Sequence, residues 1–246
     1  GVGLLLFRIA PHCTSYHATD FAATALDYVR QRLSAAGERL SHVELQQRDA
    51  DDFGGFEPQM FDAVILNSVV QYFPSVDYLL AVLRGVLPLV APGGIVFIGD
   101  VRNLQLLEAF HLSVELQRAA AALPADQLQD RFRKRVAEER ELVIDPELFH
   151  ALQAQFPQIA DVQIRPKRGR YHNELTRFRY DVTLRLAPGN GARPPLAIDW
   201  TRDGLTLANL RQRLLERDGA AYRVSGIPNA RLAAEIEVLE RVNAAD

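Results

Sequence analysis

The 246 residues are 48% hydrophobic and 24% charged, with a formal net charge of -3, the make-up of a globular chain with enough apolar content for a core. No apolar run approaches the ~18 residues of a bilayer-crossing helix, nothing at the start reads as a secretory signal, and the near-neutral balance gives no global attraction to nucleic acid. The single cysteine, Cys13, excludes an intrachain disulfide and a cysteine-rich metal site, and by elimination a reducing cytoplasm is the expected setting.

Up to about Asp100 the pattern alternates helix-period and strand-like segments, as a layered α/β sheet does. Gly1-Val2-Gly3 runs straight into Leu4-Leu5-Leu6-Phe7, which reads as the middle of a glycine loop cut from a longer chain, followed by the first turns of a helix ended by Pro11. Tyr16 to Thr19 is a short strand closing at Asp20, and Ala22, Ala25, Leu26, Val29 and Leu33 recur at helical spacing before Gly37. Val43 and Leu45 alternate with Glu44 and Gln46, a further strand. Phe61 to Leu66 is a near-continuous apolar run, expected as a strand buried on both faces. Val76, Leu79, Leu80, Leu83 and Leu87 form a helical stripe ending near Pro88, Pro92-Gly93-Gly94 is turn chemistry, and Ile95 to Ile98 is the next buried strand.

Beyond Asp100 the chain changes character. Leu107, His111 and Val114 share one face of a helix expected to reach about Leu123, and the charged stretch 125–141 reads as a solvated helix or lid. Asp145-Pro146-Glu147 is a helix start, with Asp145 as N-cap and Pro146 in the first turn. Residues 177–186 alternate strictly, Phe178, Tyr180, Val182, Leu184 and Leu186 against Arg177, Arg179, Asp181, Thr183 and Arg185, the clearest strand of all. Residues 188–195 are a Gly/Pro linker, and two short helical stripes follow, near Leu207 to Leu215 and Leu232 to Leu239. This divides the chain into a core over 1–187, with a helical lid or substrate region over about 104–175, the linker, and a C-terminal helical extension over 196–246.

Three segments carry the candidate chemistry. Gly1 and Gly3 could let backbone approach a ligand at a helix start, or form a simple turn. Asp20 stands seventeen positions after Gly3, near the spacing at which such folds grip ribose hydroxyls, the alternative being an N-cap. Asp49-Ala50-Asp51-Asp52-Phe53 follows the Val43 strand and offers carboxylates to an adenine amino group, with a metal site as the minor reading.

These residues occur in the order of a known group. Gly1 and Gly3, Thr19-Asp20, Asp49 to Phe53, Phe61 to Asn67 and Ala91-Pro92-Gly93-Gly94 resemble a class I S-adenosylmethionine-dependent methyltransferase. Asn67-Ser68-Val69-Val70-Gln71-Tyr72-Phe73-Pro74 is similar to the motif after the fourth strand in methyltransferase domains of nonribosomal peptide synthetases. Gly99-Asp100-Val101-Arg102 and Asn173 to Val182 are similar to later motifs, and the stretch from Gly226 to Arg231 fits the same group. The resemblance implies a Rossmann-like class I methyltransferase sheet with helices on both faces, its first strand missing from this chain, plus the lid region and a small helical tail. It implies S-adenosylmethionine as cofactor, held by Gly1, Gly3, Asp20, Phe21, Asp49, Ala50, Asp51, Asn67 and Ser68. The implied reaction moves a methyl group to the α-amine of an aminoacyl or peptidyl group on a peptidyl carrier protein's phosphopantetheine arm, beside an adenylation domain of the same synthetase. Carbon or oxygen methylation by the same fold, and a non-catalytic nucleotide-binding domain, are the rival readings.

For the proton that an amine must lose, the candidates are Glu174, His172, His111 and Tyr72, with Gln71, Tyr72, Arg102 and Asn173 as substrate contacts. Each has a plainer reading: Tyr72 and His111 as core, Gln71 as a helix start, and His172-Asn173-Glu174 as a solvated loop. Arg165, Lys167, Arg168, Arg170, Arg177 and Arg179 form a basic cluster, read as a docking face for an acidic carrier protein or its phosphate, or else as a solvated face.

Overall fold

A computed structural model describes residues 1–119, 123–187, 196–216 and 222–244. The Gly/Pro linker at 188–195 lies outside the described residues, as does the expected helix at 120–122.

Gly3 adopts φ +74°, and a Cβ there would sit 2.9 Å from the ring of Phe7, so glycine suits both the turn and the packing. The helix it opens is α1 (Leu6–Ile9). β1 (Tyr16–Asp20), α2 (Ala23–Ala36) and β2 (Val43–Gln47) follow, and β1 runs parallel to β2 with Asp20 opposite Gln47. The second unit is β3 (Phe61–Asn67), α3 (Val76–Val86) and β4 (Val90–Asn103), with β3 and β4 parallel and Asn67 opposite Gly99. Ser75 caps α3 by accepting from the Tyr78 N–H, and Leu79, Val82, Leu83 and Val86 bury its inner face. Pro92-Gly93-Gly94 makes a bulge within β4 rather than a turn ahead of it: the pairing jumps from Phe61 opposite Val90 to Ala63 opposite Ile95.

Downstream come α4 (Leu107–Arg118), α5 (Ala125–Ala137), β5 (Val143–Ile144) and α6 (Pro146–Gln155). Asp145 caps α6 as expected, accepting from the Glu147 N–H. β6 (Ile159–Pro166), α7 (Glu174–Phe178) and β7 (Arg179–Leu186) complete the main sheet in the order β3-β4-β7-β6, with β7 antiparallel to both neighbours and β5 pairing with the end of β4. The alternation of β7 holds: Tyr180, Val182, Leu184 and Leu186 are buried against the core that α3 and α6 cover. Tyr180 keeps its hydroxyl satisfied there by donating to the Ile144 carbonyl. No helix among the described residues is long and apolar enough to cross a membrane.

Four differences from the sequence expectations have physical causes. β3 is not buried on both faces; Asp62 and Ala63 are exposed, because β3 pairs only with β4, just as β1 pairs only with β2, among the described residues. β6 escaped notice because a register shift between Ile159 and Asp161 breaks its period of two. The α5 stretch is not simply solvated: Leu128 and Phe132 are buried against Leu112 of α4 and Val242 of α9 (Ala233–Asn243). Finally, the C-terminal region is not purely helical. Besides α8 (Leu207–Leu215) and α9 it holds a parallel pair, β8 (Leu196–Asp199) and β9 (Tyr222–Ser225), each only four residues long. It also returns to the core, with Arg177 paired to Glu235 and Arg231 donating to the carbonyls of Lys167 and Thr176.

Candidate cofactor and acceptor site

The C-terminal end of β1 gathers the first group. The Gly1 amino nitrogen contacts the Asp20 carboxylate, which also accepts from the Ala22 N–H at 2.9 Å. Asp20 is therefore not the N-cap of α2, a position held by Ala22. The Arg48 N–H donates to the Asp20 carbonyl, and the Gln47 amide donates to the Phe21 carbonyl at 3.0 Å. These bonds tie the turn after β1 to the segment leading into Asp49, so the glycines, Asp20 and the acidic loop converge. Phe21, Asp49 and Asp51 are exposed there, while Ala50 and Phe53 pack on the core. Asp51 is oriented by Tyr78 of α3, whose hydroxyl donates to it at 2.7 Å.

The second group lies where β3 and β4 end. Asn67 donates to the Ser68 hydroxyl, and that hydroxyl donates to Asp100 Oδ2, each at 3.0 Å. Ser68 and Asp100 both hold positive φ, +56° and +70°, a strained conformation for residues with a Cβ and one that concentrates at functional sites. The Asp100 N–H is held by Asp181 Oδ1 at 2.9 Å. Asp100 is 7% exposed, and its Oδ1, without a hydrogen bond among the described residues, is ion-paired to Lys167 Nζ at 3.5 Å. Gln71, three residues past Ser68, is 4% exposed, and its Oε1 also lacks a hydrogen bond among the described residues.

A chain of ion pairs spreads from Asp100. Arg179 joins Asp100 at 3.3 Å to Glu174 at 2.6 Å, and Arg102 joins Glu139 at 2.9 Å to Glu141 at 3.1 Å. His111 Nε2 sits 3.1 Å from Glu139. Burial pushes the His111 pKa below its ordinary value, outweighing the hydrogen bond to Glu139 that acts the other way. Arg102, Leu107, Phe110, Glu174, Phe178 and Arg179 line a small cavity beside this chain.

The predicted residues thus fall into distinct places. Glu174 borders the cavity but is already paired with Arg179, and His111 sits in the ion chain on α4. Tyr72 is 72% exposed, so the core reading of it does not hold. His172 is exposed on the loop ahead of α7. The Asn173 carboxamide oxygen is used as the α7 cap, accepting from the Thr176 N–H, and the Arg102 guanidinium is taken by its two glutamates. The basic cluster is divided: Lys167, Arg177 and Arg179 point into acids, leaving Arg165, Arg168 and Arg170 exposed. Sequence reasoning passed over Asp100 and Tyr78 as site residues. Asp100 stood in a quoted motif, but only its strained backbone and lost exposure single it out.

The fold is that of class I methyltransferases. The N-methyltransferase NodS of Bradyrhizobium japonicum, solved with S-adenosyl-L-homocysteine, superposes with a TM-score of 0.50 over 75% of this chain and 73% of its own, at 16% identity. PKMT2 of Rickettsia typhi gives 0.52 over 77% and 48%, at 14% identity. A methyltransferase-domain family model matches residues 1–96, and the chain belongs to the S-adenosylmethionine-dependent methyltransferases. Within them it is a methyltransferase domain of the kind carried by nonribosomal peptide synthetases. It is 46% identical over 97% of its length to chondramide synthase cmdD of Chondromyces crocatus, and 31% identical over 98% to nonribosomal peptide synthetase agiA of Aspergillus flavus. The chain spans only 6% and 3% of those relatives. The cofactor is S-adenosylmethionine, and the donor set suits it: a carboxylate at a strand end for ribose hydroxyls, and a second carboxylate, aimed by Tyr78, for an amino group.

Proposed function

We propose that this domain methylates the α-amine of an aminoacyl or peptidyl group carried on the phosphopantetheine arm of a peptidyl carrier protein, with an adenylation domain of the same synthetase supplying the amino acid. The observation that carries the reading is the alignment of 97% of the chain with a stretch that makes up only 6% of a much longer synthetase. A domain so embedded works on what the assembly passes along, and a peptide synthetase passes amino acids.

Bound S-adenosylmethionine would supply an electrophilic methyl group on a sulfonium. The protein's part is to position. Asp20 would accept from the ribose hydroxyls, and Asp49 or Asp51 from the adenine amino group, with Ala50 meeting the ring edge. Gly1, Gly3 and Phe21 would bound the same cleft, and Asn67 and Ser68 would face the reacting end, where strands of such sheets present their ligands. An α-amine has a pKa of about 7.7–8.0, so a large share is protonated at neutral pH and must shed a proton before it can attack.

The test is methyl transfer from S-adenosylmethionine to aminoacyl thioesters of a phosphopantetheine mimic, with the methyl located by tandem mass spectrometry. A methyl on nitrogen supports the reading. A methyl on carbon or oxygen replaces it with the rival acceptors, and cofactor binding without transfer to any thioester overturns it.

A further inference from the structure

The connection from β6 to α7 is a basic loop. From 165 to 175 every residue but Lys167 is exposed, and the stretch places Arg165, Arg168 and Arg170 on a chain whose formal net charge is -3. Among the described residues none of the three pairs with a carboxylate; Arg165 donates to the Gln163 amide oxygen at 2.8 Å. The cations of α5 differ, since Lys134 pairs with Glu138 and Arg135 with Glu115. Tyr171, 80% exposed, and Leu175, 40% exposed, add apolar surface to the same stretch. The loop is anchored from behind. Lys167 Nζ reaches Asp181 at 3.1 Å and Asp100 at 3.5 Å, and the Lys167 carbonyl accepts from Arg231. The Thr176 hydroxyl donates to the Tyr171 carbonyl at 2.7 Å, and a Cβ on Gly169 would fall 2.4 Å from Thr176 Cγ2. A loop so held loses little freedom when a partner lands on it. It runs straight into α7, whose Glu174 and Phe178 line the small cavity with Arg102.

We infer that this loop is the landing surface for the acidic face of the carrier protein, with Tyr171 as the apolar anchor and Arg165, Arg168 and Arg170 as the charged rim. The inference rests on the carrier reading above and adds where the carrier docks. The three arginines leave from separate positions along a strand end and an exposed loop. They suit several carboxylates spread over a protein face, whereas one phosphodiester is gathered by converging donors. A single interleaved ring gives little on which bases could stack, which favours a protein over RNA. Weak contact suffices, because a tether between domains raises the effective concentration to about millimolar. Complementary charge then sets the orientation in which the arm is offered to the cavity.

The experiment compares the chain with a triple variant, Arg165→Gln with Arg168→Gln and Arg170→Gln, and with Tyr171→Ala. The acceptors are alanyl pantetheine, alanyl phosphopantetheine, and an acidic peptidyl carrier protein loaded with alanyl-phosphopantetheine. For the loaded carrier the triple variant should raise KM by about tenfold to thirtyfold, two- to threefold for each exposed ion pair lost, and leave kcat unchanged. Tyr171→Ala should raise the same KM, and neither variant should alter KM for the two small thioesters. Wild-type KM for the carrier should climb with salt, and that of the triple variant far less. A double change on α5, Arg131→Gln with Lys134→Gln, should have no effect; an equal rise there would reduce the result to general attraction and overturn the surface. A rise for alanyl phosphopantetheine but not alanyl pantetheine would overturn it in favour of the arm's phosphate. RNA binding lost in the triple variant, with carrier KM unchanged, would overturn it in favour of nucleic acid. Fluorescence anisotropy of the labelled carrier reads docking without turnover. Docking through the arginines with no methyl transfer defeats the proposed reaction alone, and transfer with carrier KM and binding equal in all variants defeats the surface alone.

Discussion

The Tyr78 hydroxyl donates to Asp51 Oδ1 across 2.7 Å, joining the first buried helix of the main sheet to the acidic loop of the smaller one. The bond fixes a carboxylate that is otherwise exposed, and the Ser75 cap and the edge contact with Phe73, 4.9 Å between centroids, fix the tyrosine. If Asp51 receives the adenine amino group, Tyr78→Phe should weaken S-adenosylmethionine binding by about tenfold to a hundredfold, the worth of one hydrogen bond to a charged group, and leave kcat at saturation nearly unchanged. Calorimetry and a KM-against-kcat comparison read this out. Unchanged affinity would mean that Asp51 does not face the cofactor. Burial, and then the Asp51 carboxylate, hold the Tyr78 pKa above its ordinary value, so the donor persists into alkaline solution.

Gly85 reverses a familiar rule. In a helix interior, glycine to alanine ordinarily gains about 1 kcal/mol. Here a Cβ would fall 2.0 Å from Phe53 Cε2, inside the ring that seals the acidic loop onto α3. Forcing that ring aside costs about 1–3 kcal/mol, which outweighs the propensity gain. Gly85→Ala should therefore lower the melting temperature and weaken cofactor binding together. Adding Phe53→Leu should recover part of both, a coupling that double-mutant analysis measures directly.

How far the sequence carries these readings depends on periodicity. β7 was legible because Tyr180, Val182, Leu184 and Leu186 keep a strict period of two on one buried face, and α3 because its apolar residues recur at helical spacing. β6 was hidden by its bulge, and β8 and β9 by having only four residues each. The ends of the site were legible as motifs: Asp20 and the Asp49 loop do meet through Arg48 and Gln47. The interior of the site was not. That Arg102 would be spent on Glu139 and Glu141, or that the Asp100 N–H would be held by Asp181, depends on residues 37 to 81 positions apart. No local pattern encodes such a pairing.

The His111–Glu139–Arg102 cluster predicts a two-stage response to acid. Burial first of all lowers the His111 pKa from 6.5. For Glu139, burial alone would raise the value, but the Glu141 N–H, Arg102 and the Arg140 N–H together carry it below 4.5. In both cases the unfolded chain takes up its proton at higher pH than the folded one. The stability each confers is therefore complete above the unfolded value and lost as pH falls through the folded value. The melting temperature should drop first as pH falls below about 6.5, and again below the ordinary carboxylate range. His111→Gln keeps a donor for Glu139 but cannot titrate, so it should abolish the first stage and keep the second. Parallel curves for the two proteins between pH 7 and 5 would refute the assignment.

α9 should behave as part of the folded core rather than as an appendage. Its Val242 joins Leu112, Leu128 and the fully buried Phe132 in one cluster, and Leu232 joins Ala109 and Phe178 in another beside the site cavity. Phe132→Ala should cost about 3–5 kcal/mol, since a cavity opens between three helices that cannot all collapse inward. Removing residues 232–246 exposes the same apolar faces of α4 and α5 and breaks the Arg177–Glu235 pair next to Phe178. The truncated chain should lose thermal stability on the scale of Phe132→Ala. It should lose methyl transfer more severely than cofactor binding, because α4 and α7 border the acceptor side while Asp20 and Asp51 lie on the first two parallel units. A truncation that leaves the melting temperature and turnover intact would show that the helix is dispensable, and that α4 and α5 close the site by themselves.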